Sequence, residues 1–144
     1  MSGTNPNVLI VDDNPGDILL IKEALAGDAI QPIWHEARNA EDALAFFERL
    51  EKTGLPWRPA VVLLDMNMPI FRGIHVLDFI KSSVIWRGIP VVMWTSSDQA
   101  NDKESCRIFG ADDYFTKPID LDRYRQTLLT IFRTYLTASR VEAT

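Results

Sequence analysis

Three short runs restrict the architectures open to this chain: VLIV at 8–11, AVVLL at 60–64 and PVVMW at 90–94. Each is apolar throughout and rich in β-branched residues. A strand with one wet face alternates apolar with polar residues, whereas a strand without alternation is covered on both faces. Cover on both faces calls for helices between the strands, and helical segments fill the gaps. Asp17–Ala26 has helical composition and meets Gly27 as a stop. Ala40–Lys52 is amphipathic, with Asn39 as its cap. Ile74–Val84, Gln99–Phe109 (closed by Gly110) and a last helix from Asp120 to about Ala138 complete the set. A weak strand falls at Pro32–Glu36 and a short one at Asp113–Thr116, and a loop rich in Pro and Gly spans 54–59. Five strands alternating with five helices predict an α/β fold: a doubly wound five-stranded parallel sheet with helices on both faces.

A length of 144 residues suits one domain, with 1–7 as an N-terminal tail, 8–138 as the domain and 139–144 as a C-terminal tail. A formal net charge of −5 argues against nonspecific nucleic-acid binding, which needs basic patches. Cys106 is the single cysteine, so no internal disulfide can form and a reducing, cytoplasmic setting fits. No leader is apparent and no apolar run reaches the length of a membrane span, so no membrane association is expected.

Sheets of this kind place ligands beyond the carboxyl ends of their strands, where the strand order reverses. Asp12 and Asp13 follow the first strand and Asp65 the third; Thr95 and Ser96 follow the fourth and Lys117 the fifth. In the strand order 2-1-3-4-5 these groups converge on one pocket. Three carboxylates crowded together must share a proton or hold a cation. Oxygen ligands select a hard cation, and Mg²⁺ suits a site that also accepts phosphate oxygens. An aspartate beside such a metal can act as a nucleophile towards a phosphoryl group. Phosphoryl transfer then asks for positioning and charge neutralisation, which the Lys117 ammonium and the Thr95 hydroxyl supply. A flavin or nucleotide carrier would instead need N–H donors after the first strand. VDDNPGD offers carboxylates there, which repel a bare phosphate.

Four stretches in order, VDDNPGD, LLDMNMPIFRG, VVMWTSS and DDYFTKP, resemble the receiver domain of two-component response regulators, over nearly the whole chain. The resemblance implies that Asp65 is the phosphoacceptor and that a sensor histidine kinase is the donor. It implies a metal site of Asp12, Asp13, Asp65 and the Asn67 backbone carbonyl, holding Mg²⁺ or Mn²⁺. Thr95 takes the place of the switch hydroxyl, Lys117 that of the receiver lysine and Tyr114 that of the aromatic switch residue. Asn67 and Ser97 face the attacking water and tune the phosphate lifetime. A cis Lys117–Pro118 bond is also implied. Such a protein is a phosphoacceptor rather than a turnover enzyme. With no room for an output domain, it would signal through a protein contact or onward phosphotransfer. The loop at 51–59, SSVIWRGIPVV and the TSS ending resemble the stand-alone receivers that serve bacterial phytochromes.

The rival from another class is a constitutive interaction module that binds its partner without phosphate. His35 and His75 are expected to be structural or exposed rather than ligands, Cys106 an unreactive thiol, and Met66 and Met68 packing residues, because thioethers do not suit Mg²⁺. The four tryptophans are expected to anchor core or loops. Apolar residues spread widely around the last helix, from Leu121 to Leu136. They serve either a broad core contact or a homodimer or partner interface.

Overall fold

The three apolar runs become the three central strands of the sheet. The computed structural model describes residues 5–54, 57–68 and 72–143, the last seven by their backbone alone. The strands are β1 (Asn7–Val11), β2 (Ile33–Ala37), β3 (Val61–Leu64), β4 (Val91–Thr95) and β5 (Asp113–Thr116). The helices are α1 (Pro15–Ala24), α2 (Ala40–Thr53), α3 (Gly73–Ser82), α4 (Ala100–Ile108) and α5 (Leu121–Ala143). Every strand pairing is parallel, as the strand pattern predicts, and the order is β2-β1-β3-β4-β5, the one in which the strand-end groups converge.

Alternate strand side chains enter two separate cores. Leu9, Val11, Val62, Leu64, Val91 and Met93 pack with Phe47 of α2, Leu77 and Ile80 of α3 and Cys106 of α4. Val8, Ile10, Val61, Leu63, Val92 and Trp94 pack with Ile18 and Ile21 of α1 and Leu128 and Phe132 of α5. The two-residue period of a strand is present, but both faces are dry, so the sequence shows no alternation. β2 and β5 lie at the edges, which accounts for their mixed composition: Ile33 is exposed, and no residue of β5 is fully buried.

Several expectations are corrected. α1 starts at Pro15, not Asp17. Asn14 caps it by accepting from the N–H groups of Gly16 (2.8 Å) and Asp17 (3.2 Å). Proline is well suited to the first helical position because the N–H it lacks would be unpaired there. α3 ends at Ser82 rather than Val84, because the Ser83 hydroxyl accepts from Ile85 and Trp86 N–H and closes a turn. α5 runs to Ala143, through most of the expected C-terminal tail, since SRVEA holds no glycine or proline to stop it. No described peptide bond is cis, Lys117–Pro118 included; trans is favoured by about 0.5–1 kcal/mol even before proline. Residues 55–56 of the expected loop and 69–71 of LLDMNMPIFRG lie outside the described residues.

Most apolar residues of α5 whose side chains are described serve the core. Tyr124, Leu128, Leu129, Ile131, Phe132 and Leu136 are buried, while Leu121 is 64% exposed. Among the described residues no helix is long and apolar enough to cross a membrane.

Candidate functional site

The sheet register explains why distant acids meet. Asp12 and Asp65 each stand one residue past the last paired residues of neighbouring strands, Val11 and Leu64. Their backbones stay tied to the sheet: Asp12 N–H donates to Ala37 O (3.0 Å) and Asp65 N–H to Val11 O (2.9 Å). One carboxylate oxygen each from Asp12, Asp13 and Asp65 lie within 4.8 Å of one another. Asp12 and Asp65 are buried, and Asp13 opens to solvent.

Lys117 crosses to this cluster from the end of β5. Its Nζ donates to Asp12 Oδ2 (2.8 Å) and to Asp17 Oδ2 (3.0 Å), and lies 3.6 Å from Asp65 Oδ2. Lys117 N–H also donates to Thr95 O at 2.6 Å, which fixes where the side chain sets out. Burial opposes the charge on Lys117, but the carboxylates of Asp12, Asp65 and Asp17 outweigh it and hold its pKa above the ordinary lysine value. Burial pushes the Asp12 carboxyl up, against the lowering pull of Lys117. Four carboxylates (Asp12, Asp13, Asp17, Asp65) less one ammonium leave a formal charge of −3. An all-oxygen donor set with that charge, one edge of it open to water, fits a hard divalent cation.

The remaining expected residues flank this centre. Thr95 ends β4 fully buried, and its Oγ1 accepts from Ser97 N–H (3.3 Å). Asn67 N–H donates to Asp65 Oδ1 (3.3 Å), so the backbone at 67 folds back over that carboxylate. Ser97 is a junction: its carbonyl accepts from the Tyr114 hydroxyl (2.8 Å) and the Thr116 hydroxyl (3.3 Å). The Ser97 hydroxyl donates to Asp102 Oδ2 at 2.5 Å, and Arg72 holds the other oxygen of Asp102 (3.2 Å). Tyr114 is half-buried, with Lys103 Nζ 6.0 Å from its ring centre. The site thus gathers Asp12, Asp13, Asp65 and Lys117 directly, whereas Ser97 and Tyr114 join it through β4 and β5.

Sequence reasoning missed two residues here. Asp17 binds Lys117, and the signal for it was Pro15: a helix starting there places Asp17 in its first turn, beside the end of β1. Gly73 is the other. A Cβ on it would stand 2.0 Å from the Asp65 carbonyl oxygen, so only glycine lets α3 start this close to the acid. Its N–H donates to Met66 O at 3.0 Å.

His35, Cys106, Met66 and Met68 are packing residues, Met66 and Met68 lying in the core under α2 and α3. His35 stacks on Trp57, with ring centroids 5.0 Å apart, and its Nε2 lies 2.9 Å from Asn7 Oδ1. Cys106 Sγ sits 3.4 Å from Met66 Sδ, and burial pushes its thiol up to about 11.

Residues 8–129 match the family of response regulator receiver domains. Protein PilH of Pseudomonas aeruginosa is 33% identical over 121 residues, covering 84% of this chain and 93% of PilH. Among solved structures, the phosphorylated cyanobacterial phytochrome response regulator RcpA superposes with a TM-score of 0.86 at 30% identity. That superposition covers 94% of this chain and 96% of RcpA. The Mn²⁺-bound form of the response regulator Rcp1 gives 0.79 at 29% identity, covering 89% of this chain and 93% of Rcp1.

Proposed function

This chain belongs to the response regulator receiver domain family, whose members accept a phosphoryl group from sensor histidine kinases, and we propose that Asp65 is the accepting residue. The observation that carries this reading is the reach of Lys117: its ammonium bridges the acidic pocket and comes within 3.6 Å of Asp65 Oδ2. In the transfer, Asp65 Oδ forms a bond to phosphorus as the phosphohistidine N–P bond breaks. The imidazole leaves with the electron pair. Asp65 is held by strand register and by the Asn67 N–H, so little reorganisation precedes attack.

A divalent ion, Mg²⁺ with Mn²⁺ as a substitute, would be held by Asp12, Asp13, Asp65 and the Asn67 carbonyl. When bound, it neutralises charge on the phosphoryl oxygens. The acidic cluster and the Mn²⁺-bound relative support this assignment. Lys117 and the Thr95 hydroxyl receive the phosphoryl oxygens. Asn67 and Ser97 border the path of the hydrolytic water. Replacing Asn67 with a larger charged residue therefore changes the rate at which phosphate is lost, followed as the decay of phosphoprotein; an unchanged rate removes Asn67 from this role.

The signal leaves through the β4–α4–β5 region. Tyr114, tied to Ser97 O, reorients when Thr95 moves towards the phosphoryl group. The phytochrome regulator RcpA supports a sensor kinase of phytochrome type as donor. A downstream protein or a phosphotransfer protein receives the output. Among the described side chains, the exposed apolar ones that a homodimer through the last helix could use are Ile119 and Leu121 at its start, the other apolar residues named for that helix being largely buried. Sedimentation across a concentration series tests this, with Ile119→Asp expected to abolish any self-association.

The decisive test is intact mass after incubation with acetyl phosphate, with and without Mg²⁺. The wild-type chain gains one phosphoryl group only with Mg²⁺, and Asp65→Ala gains none. A wild-type chain that gains nothing at saturating Mg²⁺ points to the constitutive module instead.

A further inference from the structure

Lys117 has one partner that a metal would not compete for, and that partner leads away from the site. Asp12 is shared: its Oδ1 accepts from Asn14 N–H (2.9 Å), its Oδ2 from Lys117, and it belongs to the three-carboxylate cluster. Asp17 lies outside that cluster. One of its oxygens binds Lys117 Nζ and the other accepts from the Tyr124 hydroxyl at 2.7 Å. The Tyr124 oxygen in turn accepts from Trp94 Nε1–H at 3.3 Å. The two rings meet edge-to-face with centroids 5.0 Å apart. The chain is continuous from Lys117 through Asp17 and Tyr124 to Trp94, whose next residue is Thr95.

Each link has a fixed direction. Lysine and tryptophan only donate, an ionised carboxylate only accepts, and the Tyr124 hydroxyl does both. Asp17 itself is pinned, because its own N–H donates to the Asn14 cap (3.2 Å). An ammonium has three N–H bonds in a tetrahedral fork. With two committed to Asp12 and Asp17, the third is left for Asp65, whose Oδ2 at 3.6 Å lies beyond hydrogen-bond range. A phosphoryl group on Asp65 would bring oxygens into that gap. If a metal draws Asp12 away, Asp17 is the anchor that keeps Lys117 aimed.

We propose that Asp17 is a positioning residue for Lys117, and that Tyr124 and Trp94 carry the phosphorylation state of Asp65 into the core between the sheet and α5. This rests on the receiver reading above and goes beyond it by assigning a second route out of the site, distinct from Ser97 and Tyr114. A merely structural role, satisfying a buried hydroxyl and a buried indole N–H, would leave phosphorylation and its spectroscopic trace untouched.

The test combines kinetics with NMR of the four tryptophan indole N–H signals, Trp94 being assigned with Trp94→Phe. Wild type, Asp17→Asn and Tyr124→Phe are phosphorylated by acetyl phosphate at saturating Mg²⁺, and their spectra are taken with and without Mg²⁺ and fluoroberyllate, a phosphoryl mimic. Asp17→Asn is near-isosteric but weakens a charged hydrogen bond, so its rate falls roughly tenfold. Tyr124→Phe keeps the Asp17–Lys117 pair and reacts faster than Asp17→Asn. The mimic moves the Trp94 signal in the wild type and leaves it in place in both variants. An Asp17→Asn rate within about twofold of wild type, or a Trp94 signal that moves in that variant as in the wild type, overturns the inference alone. A wild-type chain that takes up no phosphoryl group overturns the receiver reading and this inference with it.

Discussion

At the scale of single residues, the site depends on a missing atom as much as on its charges. Gly73 does not need a left-handed backbone; it needs space. Gly73→Ala forces its methyl group against the Asp65 carbonyl, where rigid backbone rather than a flexible side chain must give way. We expect a loss of about 1–3 kcal/mol in thermal or urea unfolding, together with slowed phosphoryl uptake by intact mass. Cys106 is the opposite case, a residue that the proposed chemistry does not use. Buried and with its thiol held protonated, it resists alkylation by iodoacetamide at neutral pH until the chain unfolds. Asp12, Asp13 and Asp65 were legible in the sequence because each follows an unbroken apolar strand, and Lys117 because it follows the short last strand, and the fold brings strand ends together. Asp17 was not, because Pro15-Gly16 has the composition of a turn and conceals the start of a helix. Tyr124 looked like one more apolar position on the last helix, since nothing local marks a hydroxyl that finds its partner 107 residues away.

At the scale of elements, two joints hold the layers in place. Lys81, in the last turn of α3, donates to Ile89 O (2.8 Å), Arg87 O (3.2 Å) and Asp112 Oδ2 (2.8 Å). Asp112 Oδ2 also accepts from Val91 N–H at 2.8 Å. One ammonium therefore links the end of α3 to the starts of β4 and β5. Lys81→Met leaves those carbonyls without their donor and costs about 1.5–3 kcal/mol in chemical unfolding. The second joint is His35 on the edge strand β2, against Phe46 and Trp57. Burial lowers its pKa from the ordinary 6.5, so the fold favours the neutral ring. The unfolded chain takes up the proton first. Stability from this group is therefore full above about pH 6.5 and lost as pH falls through the folded-state value. The melting temperature of the wild type should drop more than that of His35→Gln between about pH 7.5 and pH 5.5. The central strands were legible because two-sided burial shows as unbroken apolar runs. The edge strands were faint because one side of each lacks a neighbour. The helix ends were misplaced where side-chain caps, Asn14 and Ser83, decided the boundary.

At the scale of the whole molecule, the parallel sheet separates two cores that never mix, one under α2, α3 and α4 and the other under α1 and α5. The second core depends on α5, so Phe132→Ala should cost about 3–5 kcal/mol in equilibrium unfolding. The same separation gives the ion pair between Lys117 and Asp12 a meaning in time. These residues are 105 positions apart, and the acids at 12, 13, 17 and 65 leave the ribosome well before the lysine that balances them. Until it arrives, those acids lack the ammonium that pairs with them in the fold, and half of one core has no helix to cover it. The functional pocket therefore closes only once the last strand and its lysine are in place, and a chain released early exposes its unfinished state to the cell's proteases.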